Sequence, residues 1–210
     1  MRVGVLGGTF DPLHLAHVAI AAGALAHLDL DEVRLVPCRR PPHKERTDLT
    51  PGADRLAMIA LGTQDHPRLL PSSVELTRPA PSYTIDTLRV LNAEEPEHRF
   101  YFIMGMDSFR EIGSWKEYET LLREHHLVVV GRPAQADPEN TAELPIEARH
   151  RLVESATDRD TPDGRVHLLD VTPPAVSATV IRARARRGER LDDLVPVAVA
   201  SYIHKCMLYR

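Results

Sequence analysis

The feature that most constrains this chain is its first seventeen residues, MRVGVLGGTFDPLHLAH. Val3, Val5 and Leu6 make a short apolar run that stops at Gly7-Gly8, the pattern of a buried strand ended by residues able to take positive φ. Pro12 has its φ fixed near the helical value and has no N–H, so the spacing predicts a helix beginning at or just after it and running through Val18 to Ala22. His14 and His17 then share one face of the first turn. Glycines that admit a ligand to the backbone, unpaired N–H groups at a helix start and two imidazoles at i and i+3 together suit a polyphosphate. Neither G-x-G-x-x-G nor G-x-x-x-x-G-K-[ST] occurs, so the phosphate site is of another kind.

Glu32 to Pro37 reads as a second strand, and the helix between the two makes a βαβ unit, hence a parallel sheet. Further strands are predicted over Ser73 to Leu76, Arg99 to Met104, His126 to Gly131 and Val166 to Val171. Helices are predicted over 54–61, 85–91, 146–157 and 195–208, and the polar stretch 134–143 reads as a mobile loop. The expected fold is α/β: a Rossmann-like, doubly wound parallel sheet with helices on both faces. At 210 residues and 43% hydrophobic the chain suffices for one sizeable core, so a single domain is expected.

A net charge of −4 gives no overall footprint for nucleic acid. Cys38 and Cys206 lack metal-ligand spacing, so neither a zinc site nor a disulfide scaffold is expected. The chain opens on a strand without a secretory signal, and no apolar run approaches the roughly 18 residues of a membrane span, so a cytoplasmic, non-membrane protein is expected.

Chemistry-bearing residues fall at strand ends, where open α/β sheets bind ligands. Arg39 to Lys44 is a rigid loop of cations after the second strand, or simply a solvated basic turn. Ser82 or Thr84 fits the cap of a helix whose N–H groups would cradle an anion. Asp107 and Ser108 follow the central strand, and Trp115, the only tryptophan, offers a flat ring for a heteroaromatic base or, equally, packs the core. Ser177 fits an N-cap with Arg182 on the helix it starts, a second phosphate device, while Arg184, Arg186, Arg187 and Arg190 read as a solvated basic face.

Taken together, G-G-T-F-D-P-L-H-L-A-H resembles the H-x-G-H motif of the Rossmann-like nucleotidyltransferases, and S-A-T-V-I-R resembles their second phosphate motif. P-P-H-K at 41–44, S-Y-T-I-D-T at 82–87, G-M-D-S at 105–108 with Trp115, and R-P at 132–133 resemble the bacterial nicotinate-nucleotide adenylyltransferases, in order along nearly the whole chain. Ala16 departs from the usual glycine and Ala178 from a frequent serine. The resemblance implies transfer of AMP from ATP to nicotinate mononucleotide, forming deamido-NAD and pyrophosphate. It assigns the triphosphate to His14, His17 and Arg182, with Gly7, Gly8, Thr9, Phe10, Ser177 and Thr179 completing the ATP site. It assigns the mononucleotide to Lys44, Thr84, Asp107, Trp115 and Lys116. Mg²⁺ is expected chiefly on substrate phosphates and water, with no protein metal site. One domain, 1–210, is expected, in which a helical part from about 175 to 210 completes the ATP site; a homo-oligomer stays open. A same-fold enzyme using nicotinamide mononucleotide or pantetheine phosphate, a non-catalytic nucleotide-binding module and an RNA-binding protein using Arg182 to Arg190 are the alternatives.

Overall fold

Side chains along a strand alternate between its two faces, and here both faces carry apolar residues. On β1 (Arg2–Gly8) Val3 and Val5 point one way and Leu6 the other; on β4 (Arg99–Gly105) Phe100, Phe102 and Met104 oppose Tyr101 and Ile103. β5 (His126–Gly131) repeats the pattern with Leu127 and Val129 against Val128 and Val130. The computed structural model describes residues 1–41, 48–131, 144–153, 161 and 163–210. With β2 (Glu32–Pro37), β3 (Leu69–Pro71), β6 (Leu152–Val153) and β7 (Val166–Asp170), these strands form one parallel sheet in the order β3-β2-β1-β4-β5-β7-β6.

Helices cover both sides, as a doubly wound sheet requires. One core takes α1 (Leu15–His27), α2 (Gly52–Gly62), α7 (Ala178–Arg186) and α8 (Val197–Lys205), through Ala21, Met58, Ile181 and Val199 among others. The opposite core takes α3 (Thr84–Glu94), α4 (Met106–Arg110), α5 (Tyr118–Glu124) and α6 (Ile146–Arg149), through Leu88, Phe109, Leu121 and Ala148. Gly62 lets α2 approach closely: a Cβ there would stand 2.3 Å from Leu13 Cδ2.

The structure corrects several sequence expectations. Helix α1 begins at Leu15, with His14 extended as its N-cap, because the chain must first carry the fully buried Leu13 inward. Gly7 and Gly8 do not take positive φ; Cβ atoms there would sit tightly, at 3.2 Å, against the Phe102 and Phe10 rings. The left-handed residue of the turn is Phe10 (φ 48°). Ser73 to Leu76 is a turn and the edge strand is β3, which ends two residues before it; the Pro71 nitrogen faces the open edge, and the Ser72 amide still donates to Leu35 O at 3.0 Å. The helix expected over 146–157 stops at Arg149, and Leu152–Val153 instead pairs with β7. The stretch 134–143 and Arg132-Pro133 lie outside the described residues.

Candidate active site

Strand order reverses between β1 and β4: the chain winds outward from β1 to β3, then returns to β4 and winds the other way. A parallel sheet opens a crevice at the carboxyl ends of its strands at such a point. The turn after β1 crosses that crevice, and the groups on its two sides differ in kind.

On one side the two imidazoles stack, with ring centroids 3.6 Å apart, and the edge of Phe10 backs His17 at 4.8 Å. The His14 amide donates to His17 Nδ1 at 3.2 Å. A backbone N–H only donates, so Nδ1 carries the lone pair and the proton of the neutral ring sits on Nε2. Burial lowers the His14 pKa to about 4. Burial, with His14 beside it, also holds His17 well below its ordinary value. Both rings are therefore neutral at pH 7, and the first turn of α1 holds no acidic residue to offset its positive end. Ala16 is itself buried, its methyl absorbed into the packing.

Arg182 reaches this turn from α7: its Nη1 donates to the Asp11 carbonyl at 2.7 Å, and its Nη2 to Thr179 Oγ1 at 3.3 Å. Ser177 caps α7, its hydroxyl accepting from the Val180 amide at 3.3 Å. Two segments 171 residues apart in sequence thus meet at the same strand end. The side chain of Phe10 is fully buried, so it walls the histidine rather than facing solvent.

On the other side lies a cavity of about 250 Å³, lined by Gly7, Gly8, Thr9, Thr84, Trp115 and Lys116 and also by Cys38, Glu75, Ser82, Tyr83 and Ser108. Trp115 is half-buried and packs edge-to-face on Phe102, centroids 6.1 Å apart. Helix α3 has no side-chain cap. The Ser82 hydroxyl, expected as a cap, accepts instead from the Arg39 amide at 3.1 Å, and Tyr83 is the N-cap residue. The Lys116 ammonium pairs with Asp86 at 2.9 Å and lies 5.0 Å over the Tyr83 ring, so its charge is partly offset at the cavity rim. Asp107 does not line the cavity; its side chain is 98% exposed and faces Arg110. Ser108 and Glu111, one helical turn apart, line it instead, since neighbouring helical residues point about 100° apart. Lys44 falls outside the described residues.

Three groups escaped the sequence reading. Arg55, on α2 and 2% exposed, donates through Nη1 to the carbonyls of Thr9 and Cys38, both at 2.8 Å, and through Nε to Thr50 O at 2.8 Å, tying together the ends of β1 and β2. Glu75 is buried in the cavity wall, accepting from the Thr87 hydroxyl at 2.7 Å, with burial raising its pKa. Tyr209 donates to Asp11 Oδ1 at 2.8 Å. None carries a local signal, because each partner is remote in sequence or hidden by the fold.

Comparison with known proteins gives the family. The chain matches the cytidylyltransferase-like family over residues 5–184, a span that holds both histidines and Arg182. It is 41% identical over 208 residues to a Symbiobacterium thermophilum protein named "Probable nicotinate-nucleotide adenylyltransferase", covering 99% of this chain and 95% of the relative. The chain belongs to the nicotinate-nucleotide adenylyltransferase family. A Geobacter sulfurreducens member of the same name is 37% identical, covering 100% of this chain and 98% of its own. In fold, the chain resembles Plasmodium falciparum nicotinic acid mononucleotide adenylyltransferase complexed with NaAD, with TM-score 0.74, 20% identity, and coverage of 99% of this chain and 97% of that one. Among the described residues of this family member, no helix is long and apolar enough to cross a membrane.

Proposed function

We propose that the chain transfers AMP from ATP to nicotinate mononucleotide, yielding deamido-NAD and pyrophosphate. The observation that carries this reading is the bond from Arg182 to the Asp11 carbonyl, which sets both phosphate motifs on one turn beside a cavity with an aromatic wall. In the reaction an oxygen of the mononucleotide phosphate attacks the α-phosphorus of ATP. The bond from that phosphorus to the bridging oxygen breaks, and pyrophosphate leaves with the electron pair. A phosphate monoester with a second pKa of about 6 is largely dianionic at neutral pH, so no general base is needed. The protein supplies alignment and relief of developing charge.

His17 Nε2–H donates to the α-phosphate, His14 serves nearby triphosphate oxygens, and Arg182 takes the β/γ end with the start of α7 at Ser177 and Thr179. Gly7, Gly8 and Thr9 allow close backbone approach. Imidazole, guanidinium and amide donors leave hard-oxygen coordination to the phosphates and water, so the residues present fit Mg²⁺ arriving on ATP. When bound, the ion neutralises phosphate charge.

The pyridine ring stacks on Trp115, and its carboxylate meets the amides near Thr84 and Lys116. A carboxylate offers acceptors only, whereas a carboxamide would turn a donor towards those amides, which favours the acid. Ser108 takes the place near the mononucleotide that the resemblance gives Asp107. Residues 1–210 act as one domain in this reading, supported by the bonds from Leu15 N to Leu194 O at 3.0 Å and from Tyr202 to Asp54 at 2.8 Å. Cys38 and Cys206 form no disulfide, which fits a reducing, cytoplasmic setting. Arg184, Arg187 and Arg190 pair with Asp193, Glu189 and Asp192, spending locally the charge an RNA site would need.

The test is pyrophosphate release from ATP and Mg²⁺ with nicotinate mononucleotide, nicotinamide mononucleotide or pantetheine phosphate. Release fastest with the nicotinate substrate is expected. Preference for another acceptor, or ATP binding without release, contradicts the reading.

A further inference from the structure

We propose that Tyr209 is a positioning residue for the triphosphate side of the site, holding the Asp11 carboxylate and with it the turn that presents His14, His17 and the carbonyl anchoring Arg182. This rests on the functional reading above and concerns how its machinery is held.

Asp11 is 1% exposed and works in two directions at once. Its carbonyl accepts from Arg182, and its Oδ1 accepts from the Tyr209 phenol, 198 residues further along. Thr50, whose carbonyl Arg55 holds, also hydrogen-bonds the phenol through its side chain. The phenol therefore joins the same buried network that fixes the Thr9 carbonyl. The backbone after α8 is shaped for this: Met207 (φ 52°) and Tyr209 (φ 67°) both take the left-handed conformation, which non-glycine residues adopt only when their surroundings impose it. Bonds from Leu208 N to Ile203 O and from Met207 N to His204 O close that turn.

An anion-binding turn that contains its own carboxylate needs that charge kept in one place. Burial, then the neighbouring Asp11 charge, pushes the Tyr209 pKa far above its ordinary value, so the phenol remains a neutral donor at every working pH. A lysine or arginine there would also hold Asp11 but would compete with His17 and Arg182 for phosphate.

Tyr209→Phe keeps the ring and its packing and removes only the O–H. The full chain is compared with wild type in ATP affinity by calorimetry, in KM for each substrate, and in Tm. The expected result is a rise of about tenfold in ATP Kd and KM, the scale of one hydrogen bond to a charged group, with acceptor KM within about twofold. Unchanged ATP affinity, or equal losses for both substrates, overturns the proposal. Asp11→Ala removes the acceptor of that bond. Combined with Tyr209→Phe it should lose less than the product of the single losses, since both act on one bond, and a fully multiplicative loss contradicts that. Wild-type protein that binds ATP but forms no dinucleotide contradicts the functional reading alone, and the strut is then judged on ATP Kd. Wild type that does not bind ATP overturns both.

Discussion

Two pairs of histidines occupy opposite ends of the same sheet. His14 and His17 stack beside the carboxyl end of β1; His126 and His167 lie near the amino ends of β5 and β7, their nitrogens 3.5 Å apart and the Tyr101 ring stacked on His126 at 4.9 Å. Burial lowers His126, as it does His14, to about 4. The same depressed basicity has different consequences. The core pair is only 5% and 3% exposed and packs against the Tyr101 ring. The pair at the turn lies at the start of α1, which has no acidic residue in its first turn, and His17 keeps partial exposure; a polyanion bound there would raise both pKa values. His14, His17 and His126 thus share a low pKa, and the helix start at the turn separates that pair from the core one.

The largest way to break this comparison is His17→Ala. Losing one preorganised donor to developing charge should lower kcat by about 10² to 10³ with little change in Tm. His126→Phe, which keeps an aromatic ring against Tyr101, should leave kcat within about twofold. Similar effects on kcat from the two variants would dissolve the distinction.

Acid stability comes next. A histidine whose folded pKa lies below its unfolded value binds more protons when unfolded, so stability falls as pH drops from about 6.5 towards 4. For His126 the loss is at most about 3 kcal/mol. His126→Phe should flatten the dependence of unfolding free energy on pH across that window; an unaltered slope would show that His126 titrates alike in the folded and unfolded states.

Trp115→Ala should raise the acceptor KM by about tenfold, the scale of one base-stacking contact, and leave the ATP KM nearly unchanged. An effect confined to ATP would contradict the stacking assignment. The smallest effect is proton uptake. At pH 6, ATP binding should take up a fraction of a proton, measured by calorimetry in two buffers of different ionisation enthalpy, and His14→Asn should reduce it. Uptake unaffected by that substitution would assign the proton elsewhere.

Much of this was legible in sequence because it is local. Apolar runs marked β1, β2, β4 and β5, and Ser177 announced the start of α7 by its cap. What failed was marginal or remote. β3 is three residues long at an edge, with two of them exposed, so it leaves no apolar run to read. Gly7 lies against the Phe102 ring, which only the fold brings near, and neither glycine takes the positive φ its spacing suggested. Arg55 sits in a helix where arginine ordinarily reads as surface, and Tyr209 meets Asp11 across almost the whole chain. Asp107 and Ser108 are adjacent in sequence, and only the rotation of α4 decides which one lines the cavity.

The central claim is that imidazole and guanidinium from distant segments act on one triphosphate. The measurement that tests it most directly is kcat/KM for ATP in His17→Ala, Arg182→Ala and the double variant. Each single change should cost about a hundredfold or more, and the double less than their product, because both act on one ligand. Arg182→Ala with near-normal kcat/KM, or losses that multiply in full, would contradict it.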